Sequence, residues 1–191
     1  MLFGAIFVRK NILPPKMRIF RYIIPTAALA ITLASCHKIE MLPATPHIEF
    51  KTFAVFDTTD ILGNECKGGR LNFYFEDGDG DLGLDAPDSQ DADTVNMFFT
   101  LYRKTGSVFS EVPENDPLNP SDYRIPYMER TGQNKILKGT ISVTFMYLFY
   151  EPENTDTVKY EFYIKDRLEH FSDTVTTAEI PLSVNGIYPK D

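Results

Sequence analysis

Apolar and polar residues alternate most clearly at residues 70–75 (RLNFYF), where Leu71, Phe73 and Phe75 share one face. A period of two predicts a half-buried β-strand. The pattern recurs along the chain. Residues 158–164 (VKYEFYI) alternate strictly, and residues 136–150 keep Ile141, Val143, Phe145, Tyr147 and Phe149 in phase. Residues 47–56 carry Ile48, Phe50, Phe53 and Val55, with a slip near Thr52 that predicts a bulge or a change of sheet. Residues 95–102 are aromatic and β-branched. The turn string at 104–107 (KTGS) then predicts a hairpin into 108–112.

Residues 113–122, rich in Pro, Asn and Asp, read as a long loop. Residues 123–128 fit an edge strand, because Pro126 has no N–H to give to a ladder. Residues 174–182, rich in Thr and Val, close the series. No stretch reads as a capped helix of three turns. About seven strands at turn-punctuated spacing predict an all-β protein, an immunoglobulin-like antiparallel sandwich over residues 47–185 with 186–191 as a tail. A true antibody-type domain is excluded, since the chain has no Trp and no Cys pair within the sandwich.

A different pattern precedes the strands. Residues 17–36 (MRIFRYIIPTAALAITLASC) run from Arg18 and Arg21 through an apolar stretch to small residues before Cys36. That order is a secretory signal, and the apolar run is short for a membrane span. The end, LASC, resembles the lipobox of bacterial lipoproteins. The resemblance implies removal of residues 1–35 and lipidation of Cys36. The basic prefix before Met17 suggests that Met17 is the true start. Residues 36–46 then form a lipidated tether. The expected location is the cell envelope, on the outer membrane, with the periplasmic or surface face left open.

Removal of the leader changes the charge. It carries Arg9, Lys10, Lys16, Arg18 and Arg21 and no acidic residue, so 14 of the 19 Lys+Arg remain against 27 Asp+Glu, net −13. Such a domain repels nucleic acid and anionic lipid surfaces, so membrane attachment falls to the acyl chains. Cys66 is left as a lone thiol with no His near it in sequence, which predicts an inert, packed side chain.

Candidate chemistry lies just past the clearest strand, at residues 77–83 (DGDGDLG). Gly78, Gly80 and Gly83 satisfy G-x-G-x-x-G, but Asp79 and Asp81 would face a pyrophosphate and no helix follows, so a dinucleotide site is excluded. Asp77, Asp79 and Asp81 have the 1-3-5 spacing that converges on a hard cation such as Ca2+. An EF-hand is excluded, because Leu82 holds the place of the turn glycine and Asp88 that of the final Glu. A solvated Asp/Gly turn without an ion fits the same string. In an immunoglobulin-like order the second and sixth strands leave at one end. Asp166 is then placed to add an oxygen, or Arg167 to stand in for the metal.

With both loops in view, the chain resembles a group of uncharacterised Bacteroidota lipoproteins. They carry a DGDGDIG-like motif and a later D-R-x-G-N-x-S-N-like motif. Here Glu169 and His170 stand where that second motif has Gly and Asn. The resemblance implies an immunoglobulin-like sandwich and no activity.

Little in the chain suggests catalysis. His170 is the single His at a loop position, and no serine elbow, H-E-x-x-H or Cys/His metal spacing occurs. The expectation is a non-catalytic binding or structural module with an unidentified protein or glycan partner. An accessory glycan-binding lipoprotein of a nutrient-uptake system would need exposed aromatics, for which Tyr102, Tyr123, Tyr127 and Tyr150 are candidates. A hydrolase would need two facing carboxylates in a pocket.

Overall fold

The computed structural model describes residues 42–86, 95–129, 135–148 and 156–189. The leader, Met17, Cys36 and the tether up to Met41 lie outside them, as do Asp88 and Tyr150. The described part is all-β and forms two antiparallel sheets packed face to face. The strands in chain order are β1 (His47–Thr59), β2 (Glu65–Asp77), β3 (Met97–Thr105), β4 (Val108–Glu111), β5 (Leu137–Tyr147), β6 (Thr157–Ile164), β7 (Val175–Thr176), β8 (Ile180–Pro181) and β9 (Gly186–Tyr188). One sheet has the order β5-β2-β1-β9, the other β4-β3-β6-β7, with β8 also pairing with β6.

The alternation locates the core. In β6, Val158, Tyr160, Phe162 and Ile164 are fully buried and their neighbours are not. Facing strands meet through aromatic rings: Phe53 and Tyr160 at 5.7 Å, Phe73 and Phe162 at 5.3 Å, Phe99 and Phe145 at 5.3 Å between centroids. The two buried hydroxyls of Tyr147 and Tyr160 satisfy each other across the sheets at 2.8 Å. The phase slip in β1 is a shift of register between Phe50 and Thr52, which leaves Lys51 as the extra residue.

Three features differ from the sequence reading. β2 starts at Glu65 and not at residue 70, because Gly68 and Gly69 pair with Phe56 and Val55 in the ladder. The single closing strand is split into β7 and β8. The sandwich also runs past residue 185, since β9 pairs with β1 and buries Tyr188. Nine strands, three of them only two or three residues long, therefore stand among the described residues where about seven were expected. Residues 123–128 make isolated bridges rather than a strand: Tyr123 to Met97 and Pro126 to Leu84.

Candidate metal centre

β2 ends on Asp77, whose side chain is fully buried. Its Oδ2 accepts the Leu82 N–H at 2.8 Å, closing a loop over residues 77–82. Leu82 is the apolar plug that holds this loop down, with no exposed surface. Gly80 and Gly83 take left-handed backbones, φ 68° and 93°, which let the chain reverse within so few residues. Gly83 also has to be small, because a Cβ there would lie 2.4 Å from the Pro126 carbonyl oxygen.

The outcome is convergence. Asp77, Asp79 and Asp81 each bring one carboxylate oxygen within 4.8 Å of the others. Asp77 Oδ1 and both Asp81 oxygens are buried without a hydrogen-bond partner. Packing charges this way is unfavourable, and the proton affinities register it. Burial, then the neighbouring Asp79, pushes the Asp77 carboxyl up to about 6. Burial, then the charges of Asp166 and Asp79, also raises Asp81.

The second loop does arrive at the same end of the sandwich. The Arg167 N–H points at the Asp81 carbonyl at 3.4 Å, and Arg167 Nη1 donates to the Gly83 carbonyl at 2.7 Å. The Arg167 guanidinium lies 4.9 Å over the Tyr127 ring. Its charge lowers Asp81 against the other influences. Lys165 and Asp166 beside it are buried, 8% and 1% exposed.

Asp166 does not join the converging oxygens. Its Oδ1 accepts the His170 N–H and its Oδ2 meets His170 Nδ1, both at 2.8 Å. This pairing raises the His170 imidazole above its ordinary value. The carboxylate expected as a fourth ligand therefore organises its own turn. The Asp166–His170 pair was missed from sequence, where only an i, i+4 spacing of the two residues signals it.

The remaining candidates scatter. Tyr102 donates to Glu161, Tyr127 lies under Arg167, and Tyr123 lines a groove of about 390 Å³ with Ile125, Met128, Ile141 and Val143. That groove has no carboxylate among its lining residues. Partial burial and the Asp60 carboxylate push the Cys66 thiol up, which suits an inert side chain. The chain matches no known protein family, no characterised protein and no solved structure.

Proposed function

We propose that this protein is a lipid-anchored module of the bacterial cell envelope, tethered through Cys36 and stabilised by calcium at Asp77, Asp79 and Asp81. Its role is binding or structural support, without catalysis. The observation that carries the calcium part is the meeting of three carboxylates within 4.8 Å, with unpartnered buried oxygens on Asp77 and Asp81. Calcium takes six to eight oxygens in adaptable geometry, and backbone carbonyls or water complete a set begun by carboxylates. The sheet order supports an immunoglobulin-like topology: β1, β2 and β5 share one sheet, while β3, β6 and β7 share the other beside β4. The sequence resemblance to Bacteroidota lipoproteins points the same way.

Calorimetric titration tests the ion. Calcium binds at one site, more tightly than magnesium, and an Asp79→Asn/Asp81→Asn variant gives no binding heat. No heat from the wild type at millimolar calcium would sink the ion reading. The anchor is tested by labelling with radioactive palmitate: wild type is labelled and sediments with membranes, whereas Cys36→Ala does neither.

A second reading has its own support. Arg167 bears on Asp81 and lowers its proton affinity, so the loop's charge would be balanced from within the protein and no ion would be needed. Removing one carboxylate separates the two readings, because it relieves repulsion in the first and takes a charge partner from Arg167 in the second.

A further inference from the structure

The chain ahead of β1 is fastened to the acidic loop. The Pro43 carbonyl accepts the Gly78 N–H at 3.0 Å. A Cβ built on Gly78 would stand 2.3 Å from the Leu42 oxygen, 2.3 Å from the Pro43 oxygen and 2.6 Å from the Leu42 carbonyl carbon. These are backbone atoms, which cannot swing aside as a side-chain end can, so only glycine lets the two segments lie this close. Three residues on, Pro46 is buried against the domain. Gly78 itself sits between Asp77 and Asp79, two of the three converging carboxylates.

We propose that residues 42–46 are an ion-sensitive strap, closed when Asp77, Asp79 and Asp81 hold a cation and loosened when they do not. The proposal rests on the calcium reading of the loop. An ion draws the three side chains to one centre and fixes the backbone between them, including the Gly78 N–H beneath Pro43. Without an ion, repulsion among buried carboxylates favours spreading of the loop, and the donor moves from its acceptor. Closing the strap ties down residues 42–46, roughly 17 Å of chain when extended. The coupling is reciprocal: a strap that closes on calcium also tightens calcium binding by the same factor.

The test uses the full chain isolated from membranes in detergent, and a glutamyl endopeptidase that cuts after Glu40. The protease needs several residues on each side of Glu40 extended, so it has to lift the strap. The rate is followed as the mass of the product starting at Met41, and calcium binding is measured in parallel by calorimetry. Calcium is expected to slow this cut in the wild type by about tenfold. Asp81→Asn is cut at one rate with or without calcium. Gly78→Ala, which displaces Leu42 and Pro43, is cut fast in both conditions and binds calcium more weakly by a similar factor. If Gly78→Ala does not fold, the wild type and Asp81→Asn decide the matter between them. Calcium binding with no change in the Glu40 rate overturns the strap and leaves the ion site standing. Failure of the wild type to bind calcium overturns both.

Discussion

Glu169 takes a left-handed backbone, φ 66°, in the turn whose ends are joined by Asp166 and His170. That conformation costs a side-chain-bearing residue on the order of 1 kcal/mol, and glycine escapes it. Glu169→Gly is expected to raise unfolding stability by about 1 kcal/mol in a urea titration; no gain would mean that the Glu169 side chain contributes more than its backbone costs. Gly83→Ala should go the other way. It adds a Cβ at φ 93° and 2.4 Å from the Pro126 oxygen, so a loss of roughly 2 kcal/mol or more is expected from the same titration. Part of this was legible from sequence. The 1-3-5 spacing of Asp77, Asp79 and Asp81 anticipates the meeting of their carboxylates. The fate of Asp166 was not legible, because a carboxylate with two suitors chooses by geometry, and His170 lies closer along the chain.

At the level of elements, period two located β6 and the bulged β1 well, since both strands bury one face more deeply than the other. It failed where glycine replaces the alternating side chain. Gly68 and Gly69 have no side chain to show a phase, yet they lie inside β2, covered by the rings of Phe56 and Phe53. A Cβ on Gly69 would meet Phe53 Cζ at 2.6 Å and the Tyr147 hydroxyl at 3.0 Å. Gly69→Ala is therefore expected to cost about 1–3 kcal/mol by overpacking, read as a lowered urea midpoint at unchanged slope. An unaltered midpoint would show that the rings have room to shift. The strand β9 escaped notice for a different reason. With three residues it is too short to show a period, and its place is set by Tyr188, which donates to the Val184 carbonyl and packs beside β1.

Across the whole molecule, the net charge of −13 expected after cleavage gathers partly at one loop, and acidity should then favour the ion-free fold. The unfolded Asp77 carboxyl loses its proton near 4, while the folded one keeps it to about 6. Between these values the folded state binds more protons, so raising the pH costs stability, on the order of 2–3 kcal/mol once Asp77 is fully ionised. His170, raised by Asp166, contributes in the same direction, because its stabilisation is present at low pH and lost as pH climbs through its folded value. In chelator, the melting temperature should fall from pH 5 to pH 7.5. In calcium the trend should reverse, since the ion takes the ionised carboxylates. A melting temperature that rises with pH in chelator would show that the buried carboxylates already have their counter-charge.

The most direct measurement compares the melting temperatures of wild type and Asp81→Asn at pH 7.5, each in chelator and in millimolar calcium. If the loop is a cation site, Asp81→Asn matches or exceeds the wild type in chelator, because a buried repulsion is gone. Calcium then raises the wild type by several degrees and leaves the variant where it was. If Asp81→Asn melts lower by the same amount in both conditions and calcium moves neither protein, the account is contradicted. Arg167 would then be the partner of this loop.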